Sequence, residues 1–373
     1  MKFKIKKDIL SSAIFKIQGI TSRKSSLSIT ENALIHAAGS NVIIQATDTE
    51  TGFEGVYPAE VEIEGSMVLD SKKLFEIVKD FPVDDIGFNE LDNRWIRIGN
   101  DQVHYSLAGQ DPEEFPLAPE IEKIEFFEIK SSFLRDMIEK SVVIGPRDDN
   151  RPHMDGILFS HLNQDGAAAL RMVSTDGTRM SKADYRFGED ETPPYDFAPV
   201  IIPKRGLSDA LKFLKDQGPA HAGVKDNHAV FKNENEKIVI RLLQGDFPDF
   251  DSVIQVKENL KKVKIRKEPF LMMLKRMSIF SNSKYRSVFF QFKDGLFSIE
   301  NTNPEIGESR EDTPIEFEGD PVQIAFNPRY FIDTINVMRS RDVYLNIADD
   351  KNPCVIEGDE DIDYLSVIMP MKV

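Results

Sequence analysis

The chain has 373 residues, 40% of them hydrophobic and 29% charged, with a formal net charge of −16 at pH 7. That length leaves room for two to four domains, and the composition excludes disordered, collagenous and disulfide-framed classes. Cys354 is the one cysteine and the six histidines never fall at metal-binding spacing, which excludes an internal disulfide and a zinc hydrolase and leaves no metal or cofactor expected.

Residues 1–7 are basic like the start of a signal peptide, but Ser11, Ser12 and Lys16 interrupt the apolar stretch that follows. No run approaches the roughly 18 apolar residues that cross a bilayer, so a soluble, cytoplasmic protein is expected. Apolar residues at three- and four-residue intervals predict a helix over 7–20 (Ile9, Leu10, Ala13, Ile14, Ile17). A strand over 32–38 leads to the alternating run 43–51, which ends in the polar turn at Asp48. A strand over 65–69, a helix over 71–79 (Leu74, Phe75, Val78) and strands over 95–98 and 103–107 complete the first third.

Beyond a linker expected at 120–125, the middle third repeats the order. It has a helix over 131–144 (Phe133, Leu134, Met137, Ile138, Val142), a strand over 156–160 and an alternating run over 170–178. A helix over 204–215 (Leu207, Ala210, Leu211, Leu214) and strands over 229–232 and 237–243 follow. After a second linker at 255–262 come a helix over 268–280, a strand over 287–292, a third run over 296–304, a helix over 328–338, and strands over 343–347, 354–357 and 365–369. Asp48, Asp176 and Thr302 are separated by 128 and 126 residues, about a third of the chain. The expected fold is α+β: three similar domains, 1–121, 122–257 and 258–373, each with two helices packed on antiparallel sheet.

An acidic total argues against a nucleic-acid partner, yet the six helical windows, taken as 6–20, 71–79, 130–144, 203–215, 267–280 and 327–341, carry 19 Lys and Arg against 7 Asp and Glu. Any one such helix reads as an ordinary solvated face. All six leaning positive within an acidic chain suggest a shared surface that meets a polyanion. No base-reading motif accompanies the charge, so contact would be to phosphate and sequence-independent.

Asp176, in Thr175-Asp176-Gly177-Thr178-Arg179, could face a metal or phosphoryl group. However, no Gly-rich phosphate loop or paired carboxylate motif supports catalysis, and Asp before Gly closes a tight turn. No catalytic residue is expected. An acidic interaction scaffold that never touches DNA is the alternative class.

Three segments carry a resemblance: Ser174-Thr175-Asp176-Gly177-Thr178-Arg179-Met180, Gly245-Asp246-Phe247-Pro248-Asp249-Phe250, and the terminal Val367-Ile368-Met369-Pro370-Met371-Lys372-Val373. With the length and the threefold period, they make the whole chain resemble the bacterial DNA polymerase III β subunits, the sliding clamps. The resemblance implies a non-catalytic processivity subunit forming a head-to-tail homodimeric ring, with twelve helices around a hole for duplex DNA.

At the joint between protomers it implies Tyr105 and Leu107 against Ile279 and Phe280. Glu305, Glu308 and Glu311 would form an acidic rim there, with Lys73 and Arg97 as candidate partners. A pocket for short peptides of the form Gln-Leu-x-Leu-Phe is implied at Met154, Thr175, Gly177, Thr178, Arg179, Met180, Pro248, Val253, Val367, Met369, Pro370 and Met371. Its implied ligands are the replicative polymerase, the clamp loader and repair and translesion polymerases. Contacts to DNA are implied for Arg23, Lys24, Arg147, Arg151, Lys204 and Arg205. The sequence departs from the family pattern at Thr178, Ser252 and Val373, where histidine, a basic residue and leucine are frequent, and this bears on peptide preference.

Overall fold

The computed structural model describes residues 1–23, 27–119, 121, 123–145, 152–164, 167–254, 260–281 and 286–372. In the first third, Lys2–Lys6 forms β1 and runs directly into helix α1, Lys7–Thr21. Strands β2 (Asn32–Ala38), β3 (Asn41–Thr47), β4 (Thr51–Pro58), β5 (Glu60–Ile63) and β6 (Gly65–Asp70) follow. Helix α2 (Ser71–Lys79) leads to β7 (Asp85–Glu90), β8 (Trp95–Gly99) and β9 (His104–Ala108).

The middle third repeats this order with β10 (Phe127–Lys130), α3 (Ser131–Val142), β11 (Gly156–Gln164), β12 (Ala167–Thr175) and β13 (Arg179–Arg186). It continues with β14 (Val200–Pro203), α4 (Lys204–Ala210), β15 (Pro219–Lys225), β16 (His228–Lys232), β17 (Glu236–Arg241) and the single turn α5 (Asp251–Ile254). The last third has β18 (Lys261–Arg266), α6 (Lys267–Met277), β19 (Val288–Lys293), β20 (Leu296–Asn303) and β21 (Gly307–Pro314). Strand β22 (Val322–Phe326), α7 (Pro328–Val337), β23 (Asp342–Ile347), β24 (Cys354–Gly358) and β25 (Tyr364–Ile368) close it.

The repeat is visible in single hydrogen bonds. The first residue of α1, α3 and α6 donates its backbone N–H to a carbonyl beyond the second helix of the same third: Lys7 to Asp84 (2.7 Å), Ser131 to Gly218 (2.9 Å) and Lys267 to Arg341 (2.9 Å). Each satisfies one of the donors that a helix start leaves open. The apolar stripes read from the sequence face inward, since Leu10, Ala13, Ile14 and Ile17 of α1 and Leu74 and Val78 of α2 are fully buried. Burial on this scale contributes about 1.5–3 kcal/mol per large aliphatic side chain.

Two predicted helices are shorter than their apolar spacing suggests. After Ala210 three-residue bonds, Lys212 to Asp209 and Phe213 to Ala210, mix with four-residue ones from Leu211 and Leu214, so the regular part of the expected 204–215 helix ends at Ala210. Likewise α6 ends at Met277, and Ser278–Phe280 is a separate 3₁₀ turn.

The sheets do not stop at the thirds. One eight-stranded sheet has the order β10-β15-β16-β17-β4-β3-β2-β6 and another the order β14-β11-β12-β13-β25-β24-β23-β18. A five-stranded sheet β5-β1-β7-β8-β9 and a four-stranded sheet β21-β20-β19-β22 complete the set. By contact the chain divides into two compact units, 1–135 with 192–195 and 202–242, and 136–191 with 196–201 and 243–373. Within the first unit β4 and β17 join the first and middle thirds, pairing Phe53 with Ile238. Within the second, β13 and β25 join the middle and last thirds, pairing Met180 with Val367.

An ion pair accompanies the second joint. Lys140 Nζ lies 2.7 Å from Asp361 Oδ1, with side chains 6% and 0% exposed. Burial opposes ionisation of Asp361, but hydrogen bonds from Lys140 and Ser340 and the charge of Lys140 outweigh it and hold its carboxyl below the usual range. This depressed group contributes stability above the ordinary carboxylate pKa, about 3.9, that is lost as pH falls through its folded value. Thermal unfolding should therefore show an acid-side decline that is shallower in Asp361→Asn. Lys140→Met, which strands a buried carboxylate, should cost about 3–5 kcal/mol. Equal melting of Lys140→Met and the parent would contradict the pairing.

Candidate functional site

In the second unit β13 and β25 expose one end of an apolar cluster. Val173, Met180, Val355, Leu365 and Val367 are buried in it, and Leu158, Phe247, Phe250 and Val253 pack against it while partly exposed. Phe247 and Phe250 meet edge to face at 6.2 Å and flank the half-buried Pro248. The terminal segment is tied across this region, because Met369 N–H donates to Thr178 O (2.9 Å) and Met371 N–H to Ala325 O (2.8 Å). Met369 remains 38% exposed. Methionine and phenylalanine side chains presented this way offer an adaptable apolar surface.

The turn beside the cluster is built by Asp176. Its Oδ1 accepts from Thr178 N–H (2.9 Å), Thr178 O–H (2.6 Å) and Arg179 N–H (3.0 Å), while Gly177 takes φ +82°, a conformation that favours glycine. Although burial opposes ionisation, these hydrogen bonds and Arg179 hold the Asp176 carboxyl below its usual range. Its oxygens are occupied by the turn, as Asp-Gly turn chemistry requires.

The Arg179 guanidinium lies over the Tyr330 ring at 4.3 Å and pairs with Asp333 at 2.7 Å. It forms one wall of a cleft of about 450 Å³ shared with Arg286, Asn327, Arg329 and Tyr330. Apolar cluster, terminal segment and cationic cleft thus adjoin along β13, an arrangement suited to an extended peptide with apolar anchors.

The structure brings together Thr175, Gly177, Thr178, Arg179, Met180, Val253, Val367, Met369, Pro370 and Met371, with Pro248 between the two phenylalanines. Met154 is buried in the 3₁₀ turn Pro152–Asp155 that leads into β11. Sequence reasoning missed Leu158, Val173, Val355, Leu365, Phe247 and Phe250. The two phenylalanines carried a signal, since they flank Pro248 within the segment 245–250.

The expected cationic helix faces are largely engaged within the chain. Arg23 bonds Asp48 and Asp209, and Lys16 pairs with Glu236. Arg135 pairs with Asp216, Lys212 with Asp209 and Arg276 with Glu311, while Lys7 donates to Phe81 O and Lys267 to Met338 O. Lys204 is 7% exposed. Within the chain Arg23 is thus held by two carboxylates. Arg205 is exposed, and Lys24, Arg147 and Arg151 lie outside the described residues.

Strands β9 and β21 end their sheets and have no second partner strand among the described residues. The strands in the corresponding places, β17 and β25, are mostly buried, whereas four of five β9 residues are exposed. Tyr105 is 43% exposed and Ile279 72%. The Phe280 ring lies beside Gly307, where an added Cβ would sit 3.4 Å from it. Glu305 and Glu308 are exposed, Glu311 holds Arg276, Arg97 is exposed on β8, and Lys73 pairs with Glu76 of its own helix at 2.8 Å.

Among known proteins, the N-terminal domain of DNA polymerase III beta subunit matches residues 1–119, its central domain 128–249 and its C-terminal domain 254–372. The beta sliding clamp of Chlamydia pneumoniae is 26% identical over 373 residues, covering 100% of this chain and 99% of that one. That of Vibrio cholerae is 27% identical and fully covered on both sides. A crystal structure of the Pseudomonas aeruginosa sliding clamp bound to griselimycin is similar at a TM-score of 0.89 and 25% identity, covering 100% of each chain. The Bacillus subtilis clamp gives 0.89 at 24%, over 100% of this chain and 99% of that one.

Proposed function

Because the chain belongs to the DNA polymerase III beta subunit family, we propose that two copies close head to tail into a ring that encircles duplex DNA and tethers the replicative polymerase. The pairing plan carries this reading. The thirds are joined where β4 meets β17 and β13 meets β25, and the strands in the matching places of the last and first thirds, β21 and β9, end their sheets. A second copy meeting β21 with β9, twice, pairs these two edges and gives a closed two-fold assembly. The boundaries 1–121, 122–257 and 258–373 follow the same plan, with the linkers partly outside the described residues.

Tethering to DNA is topological in this reading, which agrees with an acidic chain whose helix cations are mostly paired within it. The ring acts without catalysing a reaction. The apolar cluster beside Met180 and Met369 receives short peptides of the polymerase, the clamp loader and repair and translesion polymerases, in the cytoplasm. Docking of a flexible tail on two apolar anchors gives modest affinity, which permits exchange of partners.

Primer extension by the cognate polymerase and clamp loader on a long circular template tests this reading. Products should lengthen at least tenfold when the protein is added, an order-of-magnitude expectation from retaining the polymerase near its primer. Unchanged product length would oppose it.

A further inference from the structure

The two joints inside the chain treat one helix position alike, and the joint left for a second copy treats it differently. The tenth residue of α1 is Lys16, of α3 Lys140 and of α6 Arg276. Lys16 pairs with Glu236, the first residue of the incoming strand β17, with side chains 15% and 3% exposed. Glu236 sits opposite Gly55 of β4. Lys140 lies 5.2 Å from the ring centre of Tyr364, the first residue of the incoming strand β25, and pairs with Asp361 just before it. Tyr364 sits opposite Ala183 of β13. In the first joint the acid comes from the incoming strand; in the second Lys140 takes Asp361 from the turn leading into the incoming strand and also Asp136 of its own helix, at 2.8 Å. In both, the receiving strand is small at the facing position.

The equivalent position on β21 follows from two side-chain bonds. Ser174 donates to the carbonyl of Ser141, the eleventh residue of α3, and Asn301 to that of Met277, the eleventh of α6. Across their hairpins Ser174 faces Ser181 and Asn301 faces Ser309. Two residues further on are Ala183 and Glu311. Glu311 is therefore the acidic counterpart of Gly55 and Ala183, and it accepts from Arg276 Nε at 2.8 Å within its own chain.

On the incoming side, Asn100 and Asn233 close matching turns. Asn100 Oδ1 accepts from Gln102 and Val103 N–H, and Asn233 Oδ1 from Asn235 and Glu236 N–H. The counterpart of Glu236 is Val103, an uncharged residue.

We propose that the joint between two copies carries its neutralising acid in cis: Glu311, rather than a residue of the partner's incoming strand, satisfies the helix cation Arg276. The proposal rests on the ring reading above and fixes the register, with Val103 facing Glu311 and Tyr105 facing Ser309. Parting the first joint would strand Lys16 and Glu236, and parting the second would strand the buried Asp361, while Lys140 keeps Asp136 of its own helix. Parting the joint between copies strands neither cation nor acid, because the Arg276–Glu311 pair, 53% and 32% exposed, stays together in the separated protomer.

The test is a double-mutant cycle on the full chain, with the dimer dissociation constant read by sedimentation equilibrium and folding of each variant checked by thermal melting. Glu311→Ala should weaken the dimer because Arg276 then faces Val103 unpaired. Val103→Glu should weaken it because two carboxylates face each other. The double variant recreates the plan of the first joint and should restore affinity, with a coupling of about tenfold or more. Single effects that merely multiply in the double variant would overturn the cis assignment while leaving the ring intact. A parent chain that is monomeric at all concentrations would overturn the ring itself.

Discussion

Ile279→Asp is expected to dissociate the ring into protomers that are as stable as the parent. Ile279 is 72% exposed in the single chain, so a carboxylate there costs the protomer little. In the dimer the same side chain would be enclosed by Tyr105 and Leu107 of the second copy, where an unpaired charge is strongly disfavoured. Loss of an apolar anchor at the centre of a joint costs about 2–4 kcal/mol, or roughly a 30- to 1000-fold rise in dissociation constant. Two identical joints are hit at once. Phe280→Asp should act in the same direction, but it also disturbs the contact with Gly307 and so tests the joint less cleanly. Sedimentation equilibrium decides the matter: a dimer of parental affinity would rule out this pairing of surfaces.

The second large effect concerns the peptide surface. Removing residues 369–373 takes away Met369 and Met371 and the two backbone bonds that hold the segment to Thr178 and Ala325. Binding of a fluorescent Gln-Leu-x-Leu-Phe peptide should fall by about 100-fold or more, the scale of losing one or two apolar anchors. The dimer should be unaffected, because β9, β21 and Ile279 are untouched. A peptide affinity within twofold of the parent would place the binding surface elsewhere. Val253→Ala, a smaller change at the cluster margin, should give an intermediate loss with no effect on assembly.

Much of the fold is legible because its signals are local. The stripe Leu10, Ala13, Ile14, Ile17 reads as one buried helix face and is one. The runs ending at Asp48, Asp176 and Thr302 read as one repeated hairpin, and each is a strand paired with the strand that follows it.

What stays hidden depends on partners remote in sequence or outside the chain. Strand β21, Gly-Glu-Ser-Arg-Glu-Asp-Thr-Pro, has no apolar alternation because it is an exposed edge in the protomer. The charged strands β1 and β18 bury only alternate residues, so their lysines mask them. Joining of thirds through β4 and β17 rests on contacts some 180 residues apart, which no local pattern encodes.

The charge on the helices shows the same limit. Composition identifies an excess of Lys and Arg there but not their partners: Lys16 finds Glu236 220 residues away, and Arg23 finds Asp209 186 residues away. The excess is partly a framework that fixes helices to neighbouring strands. At the peptide surface, the terminal Met-Pro-Met and the turn at Asp176 were visible in sequence, whereas Leu158, Val173 and Val355 enter through strand register alone.

Linkage of ring to DNA is separable from attraction by one measurement. Protein loaded onto nicked circular duplex by its clamp loader is washed at high salt, the DNA is then cut once, and the bound fraction is followed. Retention on the circle and rapid loss from the linear product are predicted. Loss from both at high salt, with a steep dependence on salt concentration, would instead mark ordinary ionic binding and contradict encirclement.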